Sequence, residues 1–338
     1  MAALISAAFI TGFAINGLAQ MPGYHLLDKI KVGGEGGWDA LVADADAHRL
    51  YVSHGTHVVV IDTSTDKVVG DIPNTNGVHG IAIAAKFGKG FTSNGRDNTV
   101  TIFDLKTLKS LGTVKTGKNP DIIIFDPYSE RVFCFNASSN DATVIDAKSG
   151  SVAGSVAFDG NPEFGVSDGK GTIFVNIESK SQVVAFDAKT LAIRSHFALA
   201  PCEEPTGLAI DAKNGFLFSA CANGRMVITD AKTGKVVGDI ATGKGTDGAE
   251  FDPGTHMAFA SNGDGTLSVV GEDKKNKFAL VENVKTQVRA RTMAIDTKTH
   301  KLYLPTAEFG TAPAATKEQP RPRAPMVPDS FVILVFGR

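Results

Sequence analysis

The sequence predicts an all-β fold: a seven-bladed β-propeller with four antiparallel strands per blade. Two columns of residues recur at one spacing near 42, and each repeat divides into four short strands bounded by Gly, Asn and Asp. In the first column an Asp opens a small turn at Asp62, Asp104, Asp146, Asp187 and Asp230, and Glu272 continues it more weakly. The steps are 42, 42, 41, 43 and 42 residues. The second column runs Tyr51-Val-Ser-His54, Phe91-Thr-Ser-Asn94, Phe133-Cys-Phe-Asn136, Phe259-Ala-Ser-Asn262 and Tyr303-Leu-Pro-Thr306.

The fifth repeat shows the unit: Gly207–Ile210, Gly215–Ala220, Gly224–Thr229 and Lys235–Ile240, with polar turns between them. Four strands in about 42 residues is the length of one propeller blade. Six repeats are complete. A seventh supplies Thr292–Ile295, Lys301–Leu304 and Ser330–Phe336 but lacks a fourth strand. Tyr24–Val32 has the fourth-strand pattern and no three strands before it. The N-terminal strand is therefore expected to complete the last blade, closing the ring and removing its exposed edge.

Residues 1–19 carry no charge, are mostly apolar and end on Gly17-Leu18-Ala19. Small residues at the −3 and −1 positions read as a secretory signal whose basic start is truncated, leaving one propeller domain over residues 20–338. Removal of that leader and of a 24-residue insertion at 307–330 leaves 295 of the 338 residues, close to seven repeats. A periplasmic or secreted protein is expected, monomeric, with no membrane span in the mature chain. A net charge of −2 without a basic stripe argues against nucleic acid, and 43% hydrophobic residues exclude disorder.

The strand Tyr51-Val-Ser-His54 or Phe91-Thr-Ser-Asn94, followed by a polar turn and then Val58-Val-Val-Ile-Asp62 or Val100-Thr-Ile-Phe-Asp104, resembles the YVTN-repeat (YncE-like) propeller family. The resemblance spans the mature chain and implies an exported seven-bladed propeller. The blades do not repeat the Gly-His and Trp-Asp pairs of WD repeats. The family has no single shared chemistry, so function must be argued from the site.

Blade geometry places the entry to strand one and the turn between strands two and three on one face, the top. The repeating Asp turns lie on the opposite face, where their carboxylates are expected to accept backbone N–H groups. The strand-one entries are Asp39, His79, Asp121, Glu163, Thr206, Asp247 and Arg291, a column that should encircle the channel mouth. Fifteen residues further on come His54, Asn94, Asn136, Cys221, Asn262 and Thr306, with Asn176 from a shorter blade four. Carboxylates, His and Arg on one funnel can bind a small ligand or a cation, or do acid–base chemistry. A divalent cation between Asp121, Glu163 and Asp247 is one expectation, although no cofactor motif is evident.

The insertion interrupts blade seven on the top face, with five prolines plus Glu308, Lys317, Arg321 and Arg323, and is expected to fold over the mouth. Cys202 and Cys221 should both lie on the top of blade five as a disulfide pair, while Cys134 reads as a buried strand residue. His256 and His300 read as surface residues in first-to-second-strand turns. No P-loop, nucleophile elbow, H-E-x-x-H or C-x-x-C-H is present.

Two functions remain in view. One is an exported propeller without catalysis, binding a small molecule or an envelope protein at the channel mouth. The other is a lactonase-type hydrolase, in which carboxylate and His activate water and Arg stabilises the oxyanion. A quinoprotein ranks below both, because Trp38 is the only Trp and no haem motif accompanies it.

Overall fold

The structure, a computed structural model, describes residues 23–274, 277–314, 316 and 322–338. The expected leader, residues 1–19, lies outside the described residues, as do Lys317 and Arg321 of the insertion. Among the described residues the strands form seven four-stranded antiparallel sheets, arranged as the blades of a propeller. The first six blades each run through four consecutive strands, starting at Leu41–Asp44, Val78–Ala84, Pro120–Asp126, Pro162–Ser167, Pro205–Asp211 and Thr246–Asp252. In blade seven Ala294–Asp296, Lys301–Thr306 and Val332–Gly337 are completed by His25–Lys31, which pairs antiparallel with Val332–Gly337. The ring closes through the N-terminal strand. Among the described residues no helix is long and apolar enough to cross a membrane.

Burial follows position in the blade. The second and third strands are buried nearly throughout, as in Arg131–Asn136 and Asp141–Asp146, whereas fourth strands such as Val152–Ala157 are mostly exposed. The apolar clusters lie between blades. Phe133, Phe135 and Val144 of blade three pack with Ile173, Val175 and Phe186 of blade four. At the closure Leu41, Val52 and Ile61 meet Tyr303, Ile333 and Val335. Each sheet therefore buries its faces against both neighbours, which is why a single blade could not stand alone.

The repeating Asp residues close turns on the bottom face. Asp62 Oδ1 accepts the N–H groups of Ser64 and Thr65 at 2.9 and 3.0 Å, and Asp104, Asp146, Asp187 and Asp230 accept from Thr107, Ser149, Thr190 and Thr233 at 2.7–2.8 Å. The N–H of Thr190 is the largest influence holding Asp187 down to about 2. A second Asp column, unremarked in the sequence, closes the first-to-second-strand turns. Its member Asp252 is buried and takes a 2.8 Å hydrogen bond from His300 Nδ1 of the next blade. His300 lies at the surface, as its turn position indicated, and also bridges two blades.

Candidate functional site at the channel mouth

The strand-one entry residues converge at the top of the ring because the backbone changes register there. Pairing of strands one and two shifts between Val78 and Ile81, Pro120 and Ile123, Pro162 and Gly165, Pro205 and Leu208, and Thr246 and Gly248. Each shift brackets one entry residue: His79, Asp121, Glu163, Thr206 and Asp247. A β-bulge bends the strand and re-aims the side chain of its extra residue. Five blades repeat this device, and five polar side chains are turned out of their ladders.

Close approach of the inner strands makes the device compact. A Cβ placed on Gly207 would lie 2.5 Å from the Ala249 nitrogen, and one on Gly248 3.0 Å from the Met293 nitrogen. Serines one residue before the end of strand two tie these strands together. Ser53 Oγ accepts from Asp39 N at 2.8 Å, Ser93 Oγ accepts from Gly80 N and donates to Asp121 O, and Ser261 Oγ donates to Arg291 O at 2.6 Å.

Electrostatics dominate the mouth. His79 Nδ1 lies 2.6 Å from Asp39 Oδ2 and 3.5 Å from Asp121 Oδ1, while Arg291 Nε pairs with Asp247 Oδ2 at 3.2 Å. Burial disfavours the His79 imidazolium, but its bond to Asp39 and the charges of Asp121, Asp39 and Asp247 outweigh this and raise its pKa. Burial first, then the Asp39 charge, lifts Asp121 well above the usual carboxylate range against the opposing pull of His79. Glu163 is raised further by burial and by Asp121, Glu178, Asp247 and Asp39. Asp247 is raised by burial despite Arg291 beside it. The ring therefore holds protons near pH 7 that isolated carboxylates would have lost, and these groups titrate as a set.

Asp39, His79 and Asp121 each offer a ligand atom within 4.8 Å of the other two, a grouping that can hold a metal ion. Asp247 acts on His79 and Asp121 through its charge, while Asp121 and Asp39 raise Glu163, so the close-range geometry selects a different set from Asp121, Glu163 and Asp247.

The second column has another environment. Asn94, Asn136 and Asn262 are fully buried, with their amides directed into their own blades. Asn94 Nδ2 donates to Thr99 and Thr101, Asn136 to Asp141 and Thr143, and Asn262 to Thr266 and Ser268, at 2.7–3.1 Å. The register pairs Pro162 with Ile177, so Ile177 and not Asn176 occupies this column in blade four. Asn176 points to the other side of its sheet and donates to Thr206 O and Gly207 O of blade five, both at 3.0 Å. His54 is buried and stacks on Phe331, with centroids 4.5 Å apart. Burial, then the neighbouring His57, lowers its pKa to about 4. Cys202 and Cys221 form a disulfide, and Cys134 is a buried free thiol.

Below the mouth the channel is apolar. A cavity of about 240 Å³ is lined by first-strand residues including Leu41, Ile81, Ile123, Phe164 and Leu208, with Glu250 as its carboxylate. Burial raises Glu250 to about 8. Glu250 sits three residues beyond the entry column, outside both repeating columns of the sequence.

The insertion stands at the edge of the mouth. Phe309 bridges to Met326, Gly310 N donates to Pro325 O and Val327 N to Glu308 O at 2.9 and 2.8 Å. This pinned base brings Phe309 toward Trp38, centroids 6.2 Å apart, and Arg323 to a pocket it shares with Arg289 and Arg291.

No family model matches the chain, and no curated protein matches it. Among solved structures 1767 chains match, a spread too wide to indicate one activity. One is Hydrazine Synthase from Kuenenia stuttgartiensis, with a TM-score of 0.68 and 15% identity over 81% of this chain and 94% of that one. At that identity the likeness establishes the propeller fold alone.

Proposed function

We propose that this protein is an exported binding propeller whose channel mouth takes up a cation, with Asp39, His79 and Asp121 as the first ligands. The observation that carries this reading is the close grouping of Asp39, His79 and Asp121 at the mouth, with Asp121, Glu163 and Asp247 pushed toward their neutral forms by burial and mutual charge. Such a ring is costly when ionised, and a bound cation relieves the repulsion. Two carboxylates with one imidazole suit Mn²⁺ or Zn²⁺ better than Mg²⁺, which prefers oxygen ligands and keeps its water. The leader-like residues 1–19, the resemblance to YVTN-repeat proteins and the Cys202–Cys221 disulfide support an exported location.

Calorimetric titration with Mn²⁺, Zn²⁺ and Ca²⁺ tests the reading. One of these ions should bind and raise the melting temperature, and His79→Ala should weaken binding at least about 10-fold. Absence of heat and of any melting shift with all three ions would overturn it.

The 2.6 Å contact between His79 and Asp39 specifically favours a second reading, a hydrolase. An imidazole oriented by a carboxylate can take a proton from water, and Arg291 lies beside the same ring. Lactone turnover abolished by His79→Ala and Glu163→Gln would favour hydrolysis. Metal binding without turnover across a lactone panel would favour the binding module.

A further inference from the structure

The strongest feature outside the acidic ring is its opposite in charge. Three guanidinium groups, Arg289, Arg291 and Arg323, line a pocket of about 350 Å³ together with Gly37, Trp38 and Phe309. The pocket lies where the insertion of blade seven meets the chain entering blade one. Only Arg291 has a carboxylate partner, Asp247. Among the described residues neither Arg289 nor Arg323 forms an ion pair. Three cations on one small cavity repel one another unless something negative is supplied, so the electrostatic deficit here is an anion.

The walls specify its shape. Trp38 stacks on Phe331 at 5.0 Å and 27°, and Phe331 stacks in turn on His54 at 4.5 Å and 5°. One face of the indole is thereby backed by buried rings, and Trp38 itself lines the pocket. Phe309 lies beside the indole, centroids 6.2 Å apart, and under Arg289, whose guanidinium carbon sits 3.8 Å from the Phe309 ring centroid. Arg289 keeps a left-handed backbone, φ +69°, uncommon for a side chain of this size, and its N–H is fixed to Gly263 O at 2.9 Å. The side chains that face a ligand are thus positioned before one arrives. Gly37 has nothing within 4 Å of where a Cβ would stand, which leaves the entrance open.

Rigid aromatic walls take a flat apolar body, and guanidinium forks take a carboxylate with two parallel hydrogen bonds. We propose that this pocket binds an aromatic carboxylate, its ring against Trp38 and its carboxylate on Arg289 and Arg323. The site is independent of the cation reading: its proposed contacts, Trp38, Arg289 and Arg323, include none of the cation ligands and its ligand has the opposite charge, so either can fail alone.

Benzoate and 2-naphthoate are the probes, titrated calorimetrically into the mature protein. Because Trp38 is the only tryptophan in the chain, its fluorescence reports benzoate at the site itself. Both should bind, 2-naphthoate more tightly, and benzoate should perturb Trp38 emission. Arg323→Ala should weaken both at least about 10-fold, the loss expected for one charge-assisted contact. Arg323 lies in the insertion outside every blade, so this variant leaves the ladders intact, and an unchanged melting temperature would verify it. Arg289→Lys should lose most of the affinity too, since a point charge cannot replace the fork. Equal affinity for cyclohexanecarboxylate or inorganic phosphate would overturn the aromatic carboxylate assignment. Absent binding of both probes, or binding indifferent to Arg323→Ala, would overturn the site.

Discussion

Replacing Glu250 by Gln should flatten the pH dependence of stability on the alkaline side. The carboxyl faces a narrow channel lined by Leu41, Ile81, Ile123, Phe164 and Leu208, and burial alone raises its pKa from 4.5 to about 8. No neighbouring charge contributes, so the acidic ring above does not confuse the result. Between those two values the folded state keeps a proton that the unfolded chain has released. Raising the pH through that window therefore lowers stability, and the loss is complete above about pH 8.

The full shift corresponds to about 5 kcal/mol at 1.36 kcal/mol per unit. The cavity of about 240 Å³ has room for water, which solvates the anion and brings the expected loss to about 2–3 kcal/mol. Gln keeps the shape and stays neutral. Urea unfolding followed by Trp38 fluorescence from about pH 5 to pH 9 should show the wild type losing that amount relative to Glu250→Gln, with the two proteins equally stable at the acidic end. Parallel curves over the whole range would refute the reasoning, because they would mean that Glu250 ionises in the fold as freely as in the unfolded chain.

His54 works in the opposite sense. It is buried with a pKa of about 4 against an ordinary 6.5, so its contribution is present above pH 6.5 and is lost as pH falls through 4. His54→Phe should remove up to about 3 kcal/mol of acid-side destabilisation in the same unfolding series, and an unchanged acid limb would count against it. Gly207→Ala should cost about 1–3 kcal/mol, read as a lower urea midpoint, because its Cβ would meet the backbone of the neighbouring inner strand at 2.5 Å. Converting Cys202 and Cys221 together to Ala should cost about 3 kcal/mol for a loop of 19 residues, and an unchanged midpoint would show that the bridge constrains nothing.

The blade count was legible because turn chemistry repeats. An Asp whose carboxylate must cap two N–H groups recurs wherever that turn recurs, and five copies make the period unmistakable. The Asn column was legible as a column and misleading as a site. Its explanation was also written in the chain, since a Thr, Ser or Asp follows each of Asn94, Asn136 and Asn262 in the next strand to receive the amide. The serines at 53, 93, 219 and 261 repeat as plainly, yet their inter-blade role depends on which carbonyl lies across the gap. Bulges left no local signal, because a register shift is a property of two strands and not of one. The stack of His54, Phe331 and Trp38 joins residues nearly 300 positions apart, visible only once the ring is closed.

The energetics explain why the mouth can carry chemistry at all. Stability resides in the inter-blade clusters, the Asp turns and the Asn and Ser hydrogen bonds, all of which recur around the ring. The entry residues recur in position and not in identity: Asp39, His79, Asp121, Glu163, Thr206, Asp247 and Arg291. In five blades a bulge frees this side chain from its ladder, and Asp39 and Arg291 stand before their strands begin, so exchanging one for another leaves the hydrogen bonds of the blade intact. What then holds four carboxylates together is not the fold, which they burden through burial and mutual repulsion. A costly arrangement that the architecture does not require, at the mouth of the ring, is one that the proposed cation would relieve. Neutralising Glu163 as Gln should therefore stabilise the ligand-free protein while weakening its hold on a cation. Paired measurement of melting temperature and Mn²⁺ affinity decides this, and a loss of stability without a loss of affinity would assign the ring to the fold instead.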